Sequence, residues 1–271
     1  MPNSEMERHR SIFIAAALSL VPGLGHFYVG AARRGFLLPV LAGLIILGFR
    51  WTGALLHYRG LAALTLITLA LPIVAAIDSA WLAHGRKNYE LKDYNQWYVY
   101  VAIAIVFGFS LSMAPRFLPC MLGIAIYRHQ GQWMEPAIRD GSTVVLDLTH
   151  FRKKPPEPGD LVAFHWPQSP TKFTVSRVVA IGQERVALKD GQLVVNGADL
   201  DEPYVDRRFS SKFPQTMGEK QIPDGEFFVL NDRRDLGTDS RHSGNVQVDA
   251  LIGKVAIVIQ PDATHVDLIR R

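Results

Sequence analysis

Cysteine is almost absent from this chain of 271 residues, in which Cys120 is the only one. A single thiol excludes an internal disulfide, and it excludes zinc sites built from several cysteines. His26 has no second metal-ligand candidate nearby in the sequence. We therefore expect neither a metal nor a cofactor.

A basic excess is also absent from residues 116–271, which carry 20 Lys and Arg against 20 Asp and Glu. The net charge of +4 belongs to residues 1–115, where 9 basic residues face 5 acidic ones. Because these basic residues flank apolar segments, they are expected to set orientation in a membrane rather than to bind nucleic acid. The charge pattern favours membrane lipid as a partner and argues against nucleic acid.

Three apolar segments in the first part of the chain are long enough to span a bilayer, namely residues 36–56, 61–83 and 97–113. Residues 11–20 are apolar but too few to span, and Pro22 and Gly23 follow them. We predict a hairpin or re-entrant segment there rather than a fourth crossing. Asp78 is expected at the membrane interface beside Trp81, the alternative being a functional carboxylate within the membrane.

Loop charges predict the orientation of these segments. Arg50 and Arg59 fall on one side of the membrane, and seven basic residues fall on the other: Arg8, Arg10, Arg33, Arg34, Arg86, Lys87 and Lys92. The side with more basic residues should be cytoplasmic. An odd number of crossings then gives a multi-pass protein of the cytoplasmic (inner) membrane, with everything after Met113 on the extracytoplasmic side.

After Pro115 the sequence changes to short alternating runs separated by turn residues, which is typical of β-strands. Asp190-Gly191 is the residue pair that a two-residue type I′ hairpin prefers. The predicted strands are residues 143–148, 161–166, 172–181, 185–189, 192–195, 226–230 and 251–259. We thus predict a membrane region over residues 1–115 and a mainly β, extracytoplasmic domain over residues 116–271.

Four motifs follow one another in the β half. In chain order they are residues 134–138 (Met-Glu-Pro-Ala-Ile) with 140–142, residues 158–164, residues 176–179 continuing to 204, and residues 231–235 with 239–241. Together, and directly after an apolar helix, they resemble the motifs of type I signal peptidases, membrane-anchored serine proteases that release signal peptides from exported proteins. The resemblance implies a signal peptidase I fold of the S26 type.

The resemblance also implies four catalytic positions. Family members use a serine nucleophile, a neutral lysine base, an oxyanion-stabilising serine and a serine that positions the lysine. Here these positions hold Trp133, Ser176, Gly131 and Gly237, respectively. An indole cannot attack a carbonyl, and a serine hydroxyl cannot act as a base near neutral pH. We therefore predict that the site lacks catalytic residues.

Other motif residues are retained: Met134, Pro136, Gly159, Asp160, Arg177, Asp232, Asp239, Ser240 and Arg241. The resemblance implies that the last four of these mostly brace the site. Candidate replacements for the lost groups are Lys172, Ser142, Ser240 and His129, although solvated or structural roles are favoured for each. Trp133 and Met134 together have three interpretations: contact with lipid, filling of the cleft, or packing against residues 117–126.

These observations predict a membrane-anchored signal-peptidase-like protein that is catalytically inactive and binds peptide segments, signal peptides among them, or another membrane protein. One alternative is an active serine endopeptidase that uses an unrecognised nucleophile. The other is a membrane-assembly or transport component in which the β domain is an extracytoplasmic cap.

Overall fold

A computed structural model describes residues 10–85, 94–166, 168–206 and 216–261. The chain divides into two compact units, Met1–Leu122 and Gly123–Arg271. Four of the basic residues on which the predicted orientation depends lie outside the described residues: Arg8, Arg86, Lys87 and Lys92.

The first unit is helical. Its helices are α1 (Ile12–Leu18), α2 (Leu24–Tyr28), α3 (Ala32–Trp51), α4 (Tyr58–Gly85) and α5 (Trp97–Leu122). Among the described residues, three helical stretches are long and apolar enough to cross a membrane: Ala32–Trp51, Tyr58–Gly85 and Trp97–Ala114. They coincide with the three predicted spans. The first ends before the predicted residue 56 because Gly53 adopts a left-handed conformation and a short 3-10 turn follows.

The apolar segment predicted at residues 11–20 forms α1, which is seven residues long. At 1.5 Å per residue it measures about 10 Å, far less than a bilayer core. The Ser11 side chain caps its first turn, and the Ser19 hydroxyl at its end lies 2.8 Å from the Ser79 hydroxyl of α4. A turn at Gly23, with φ of 87°, then leads into α2. The segment is thus a pair of short helices joined by a tight turn.

The predicted domain boundary at residues 115 and 116 falls inside a helix. Helix α5 continues to Leu122, and Gly123, with φ of 63°, ends it before the first strand. The apolar residues 117–126 are therefore divided between α5 and β1. The composition stays apolar up to Met121, so hydrophobicity alone gives no signal for the boundary.

The second unit is built from antiparallel strands. They are β1 (Ile124–Arg128), β2 (Thr143–Asp147), β3 (Leu161–Trp166), β4 (Ser169–Ile181), β5 (Arg185–Lys189), β6 (Gln192–Val195), β7 (Ala198–Asp199), β8 (Met217–Gln221), β9 (Glu226–Leu230), β10 (Val246–Gln247) and β11 (Leu251–Ile259). A seven-stranded sheet has the order β1-β2-β11-β3-β4-β9-β10, and a four-stranded sheet has the order β7-β6-β5-β8. One short helix, α6 (Ser240–Ser243), follows β9.

Every predicted strand is present within a few residues of its predicted bounds. Asp190 and Gly191 have φ values of 50° and 82°, so the hairpin between β5 and β6 has the two positive φ angles that a type I′ turn requires. Strands β1, β7, β8 and β10 were not predicted. Strand β8 illustrates the reason, because its Gly-Glu-Lys sequence is polar and almost wholly exposed.

Candidate functional site

Trp133 lies in the segment between β1 and β2, and the core holds this segment in place. Met134 and Ile138 are both fully buried in one hydrophobic cluster with Val144 and Leu161. Backbone hydrogen bonds from His129 to Ser142 (2.8 Å) and from Gly141 to His129 (2.9 Å) close the segment into a loop. Met134 is a core residue, so the interpretation in which it contacts lipid is wrong.

The indole of Trp133 packs between this loop and strand β4. Its Nε1–H donates to the carbonyl oxygen of Val175 on β4 at 3.1 Å. Its ring meets the His129 ring edge to face, with centroids 4.8 Å apart. The half-buried indole also packs on the cluster that contains Met134. These contacts hold the indole against β4 and the core of the β domain, and filling of a substrate cleft by Trp133 stays a prediction.

Two glycines make room for this indole. A Cβ atom added at Gly131 would lie 1.8 Å from Cζ3 of Trp133, which is far inside van der Waals contact. A Cβ atom at Gly237 would lie 3.0 Å from Cβ of Trp133 and 2.8 Å from Nδ2 of Asn231. Three of the four positions that the family resemblance assigns to catalytic groups are thus brought together here, and the tryptophan side chain occupies the space between them.

Ser176, at the position of the base, is fully buried on β4. Its hydroxyl donates to Oδ1 of Asn231 at 2.9 Å, and the Nδ2 group of Asn231 donates to the Leu236 carbonyl at 3.1 Å. A carboxamide therefore occupies the space beside Ser176. Sequence reasoning gave Asn231 no role, although it opens the fourth motif. The contact joins residues 55 positions apart and has no local signal.

The candidate replacement groups have other partners or other surroundings. The Ser142 hydroxyl is buried and donates to Oε1 of Gln260 at 2.8 Å. The Ser240 hydroxyl accepts a hydrogen bond from the backbone N–H of Val229 at 3.0 Å. Lys172 is exposed, whereas Ser176 is fully buried. None of these contacts pairs a hydroxyl with a base.

His129 is 2 % exposed, and its Nε2 atom has no hydrogen-bond partner within the described residues. Burial lowers the pKa of its imidazole, and the negative charges of Asp140 and Glu135 oppose this shift. A neutral imidazole is the protonation state that a general base needs. The ring meets the rings of Trp133 and Tyr127 edge to face, and within the described residues it has no hydrogen bond to a serine hydroxyl.

Charged residues among the retained motif residues form a frame of ion pairs, of which the pair between Arg177 and Asp232 is buried. Arg177 donates from Nε and Nη2 to the two carboxylate oxygens of Asp232 at 2.8 and 2.7 Å, and from Nη1 to the Gly159 carbonyl at 3.0 Å. Its guanidinium lies 4.0 Å from the centroid of the Tyr204 ring. Burial raises the pKa of Asp232, and the bonds from Arg177 oppose the shift. For Arg177, burial disfavours the charge but Asp232 outweighs it, so its pKa lies above the ordinary value.

A second part of the frame holds the loop that carries Gly237. Arg241 donates to both carboxylate oxygens of Asp239 at 2.8 and 2.7 Å. Asp239 also accepts from the backbone N–H of Asn231 at 3.2 Å. Lys254 pairs with Asp160, and Arg234 pairs with Glu202. Pro136 is exposed on the loop that follows Trp133.

Among the described residues, no serine hydroxyl bonds to a lysine or histidine, and no group of three or more His, Cys, Asp or Glu residues has metal-site geometry. The backbone carbonyl of Val175 accepts the hydrogen bond of Trp133. An indole can act neither as a nucleophile nor as a general base.

Comparison with known proteins identifies relatives of the β domain and the helix before it. The sequence profile of the family described as "Signal peptidase, peptidase S26" matches residues 95–260. Signal peptidase IB of Staphylococcus aureus strain COL is 27 % identical over 184 residues, which cover 63 % of this chain and 91 % of that protein. Signal peptidase I of Bacillus caldolyticus is 28 % identical over 170 residues, which cover 59 % of this chain and 87 % of that protein. The crystal structure of a signal peptidase I from Enterococcus faecalis V583 matches with a TM-score of 0.34 and 28 % identity, over 37 % of this chain and 97 % of that one.

Proposed function

Because the chain belongs to the signal peptidase S26 family, we propose that it is a catalytically inactive member that binds peptide segments at a membrane. The observation that carries the proposal is the position of Trp133, whose indole bonds to Val175 where the family resemblance places the nucleophile. Removal of both nucleophile and base leaves only the residual rate that binding and oxyanion contacts provide.

A strand edge beside Trp133 supports peptide binding. Strand β9 pairs with β4 from Arg177 to Ile181, and within the described residues no strand pairs with that edge of β4 at residues 172–176. Backbone groups of alternate residues face the same edge, so Phe173 presents its N–H and C=O on the same side as Val175. An extended peptide can add to such an edge through main-chain hydrogen bonds. Trp133 competes with the peptide for the Val175 carbonyl.

The proposed location is the cytoplasmic membrane, with several crossings and the β domain on the extracytoplasmic side. The three apolar helices and the excess of basic residues in one set of loops support this arrangement. Signal peptides and membrane lipid are the partners that this location and the family suggest.

A cleavage assay tests the loss of activity. Purified full-length protein in detergent is mixed with a preprotein at neutral and mildly alkaline pH, with an active family member as control. We expect no cleavage above background. Cleavage that Ser142→Ala or Ser240→Ala abolishes would instead identify an active enzyme with an unrecognised nucleophile.

A binding assay tests the groove. A signal peptide with alanines around its cleavage site is titrated into wild type, Trp133→Ala and Trp166→Ala. Trp166 packs in a different cluster of the same domain and controls for general loosening. Trp133→Ala should bind the peptide about two- to tenfold more tightly, the range that one neutral hydrogen bond corresponds to. No binding by any variant would point to the alternative in which the β domain is a cap for a membrane-assembly or transport component.

A further inference from the structure

An ionic cluster lies in the helical unit, remote in sequence from the β domain. Nε2 of His26 in α2 lies 2.8 Å from Oδ2 of Asp78 in α4. Nη1 of Arg34, in the first turn of α3, donates to both carboxylate oxygens of Asp78 at 2.9 and 3.0 Å. The three residues therefore join α2, α3 and α4 at one end of two helices that are apolar enough to span a membrane.

An apolar cavity extends from this cluster. Its volume is about 490 Å³, within the range of roughly 300–1,000 Å³ that ligand pockets occupy. His26, Arg34 and Asp78 form its polar end, and aliphatic side chains of α3 and α4 form the rest. On α3 the lining runs from Arg34 to Leu44, which is about 15 Å along a helix. That length matches one leaflet of a hydrocarbon core about 30 Å thick.

The polar end has unused hydrogen-bonding capacity. Both carboxylate oxygens of Asp78 are already engaged. All bonds of Arg34 within the described residues come from Nη1, so its Nε and Nη2 donors remain, and the side chain is 52 % exposed. His26 is 1 % exposed, and its Nδ1 atom has no partner in the part of the chain that the structure describes. Spare donors on a cation favour an anionic ligand, and the planar guanidinium suits a phosphate.

We propose that this cavity, a groove between α3 and α4, binds one anionic phospholipid. Its phosphate would lie on Arg34 and an acyl chain would lie along the aliphatic side chains of α3. An apolar signal-peptide segment is a poorer occupant, because its basic N-terminal region would face Arg34. The inference does not depend on the proposed function of the β domain.

The test is native mass spectrometry of the full chain released from detergent micelles, titrated with phosphatidylglycerol or with phosphatidylcholine of identical acyl chains. We expect one phosphatidylglycerol to bind at about tenfold lower concentration than phosphatidylcholine. Both lipids carry the phosphate, but the choline cation of phosphatidylcholine would lie beside the guanidinium of Arg34 and be repelled by it. Arg34→Gln should remove this preference. Arg33→Gln is the matched control, because Arg33 is the adjacent exposed arginine and does not line the cavity.

A steric pair keeps the proposal testable if Arg34→Gln does not fold. Leu41→Trp places an indole in the groove and should weaken binding of both lipids, whereas Leu47→Trp, on an exposed residue outside the lining, should not. Glycerol phosphate at millimolar concentration should not displace the lipid. Equal binding of the two lipids, equal effects of Arg33→Gln and Arg34→Gln, displacement by glycerol phosphate, or displacement by a signal peptide would each overturn the proposal.

Discussion

The indole of Trp133 packs directly against Gly131, where an added Cβ atom would lie 1.8 Å from Cζ3 of the ring. Gly131 has φ of 118°, so a side chain there would also strain the backbone. Gly237 meets the opposite end of the same side chain at Cβ. The packing of Trp133 therefore depends on the absence of side chains at these two glycines, and the three positions are sterically coupled.

This coupling predicts the behaviour of Gly131→Ser. In the wild-type background the new side chain overlaps the indole, and overpacking of this kind costs about 1–3 kcal/mol in the free energy of unfolding. In a Trp133→Ser background the indole is gone, and only the backbone strain remains. The two mutations should show a coupling energy of about 0.5–3 kcal/mol in a double-mutant cycle measured by thermal or denaturant unfolding.

Gly197→Ser is the control for backbone strain alone. Gly197 has φ of 81°, and an added Cβ there would meet no atom within 4 Å. Gly197→Ser should lower the free energy of unfolding by the same amount in the wild-type and in the Trp133→Ser background. If Gly131→Ser behaved like this control, the indole would not occupy the place assigned to it.

The pair Ser176 and Asn231 predicts that a lysine cannot simply be returned to the base position. Ser176→Ala should cost about 1–3 kcal/mol, because Oδ1 of Asn231 loses its donor in a buried site. Ser176→Lys should cost more, since a buried amine must be desolvated and the carboxamide of Asn231 takes the adjacent space. Asn231→Gly should recover part of the loss in the lysine variant, and unfolding in denaturant measures each step. A lysine variant as stable as wild type would contradict this packing.

The ionic pair between Arg177 and Asp232 should be far more sensitive to substitution than a surface pair. Asp232→Asn leaves the buried guanidinium without its countercharge, for which we expect a loss of about 3–5 kcal/mol. Glu219→Gln is the control, because its pair with Arg185 is solvent-exposed, with side chains 54 % and 63 % exposed. That loss should lie within about 0–1 kcal/mol. Similar losses in the two variants would show that the pair between Arg177 and Asp232 is no better shielded from solvent than the surface pair.

Local sequence patterns were sufficient for most of this fold. Alternating apolar residues located β3, β5, β6, β9 and β11, and the Asp190-Gly191 pair located a hairpin. The predictions failed where the signal depends on pairing rather than on composition. Strand β8 is polar and owes its conformation to hydrogen bonds with β5. The end of α5 depends on one glycine rather than on a change in hydrophobicity.

The site shows the same limit. Motif positions were enough to name Trp133, Ser176, Gly131 and Gly237 as a set. They did not reveal that Asn231 bonds to Ser176, because that contact joins β4 to the residue that follows β9, 55 positions along the chain. The contact between His26 and Asp78 was missed for the same reason, since 52 residues separate them. Such partners become visible only when the helices and strands are assembled.

His129 predicts a pH dependence of stability. Burial lowers the pKa of its imidazole below the ordinary value of 6.5 in the folded protein. Between the unfolded and folded pKa values the unfolded state binds more protons, so stability rises with pH in that interval. The contribution of neutral His129 to the free energy of unfolding is therefore complete above about pH 6.5. It decreases as the pH falls towards the pKa that His129 has in the folded protein. Melting of wild type and His129→Gln in detergent between pH 7.5 and 5 should show a smaller loss in the variant. Parallel curves would mean that the ring is solvated.

The predicted orientation can be tested with reporter fusions at sites that the helix bounds now define. A fusion after Asn95, between α4 and α5, should report the cytoplasm, whereas fusions after His57 and Lys154 should report the far side. The expected pattern follows from the excess of basic residues in the loops on the Asn95 side. The site at Lys154 is chosen because α5 continues to Leu122, and a fusion soon after Arg116 would interrupt that helix. Substituting Arg33 and Arg34 together by Gln should weaken the preference, because both lie within one turn of a span and on the predicted cytoplasmic side. A reporter at Lys154 that is active in the cytoplasm would invert the topology and remove the β domain from the side on which exported peptides are found.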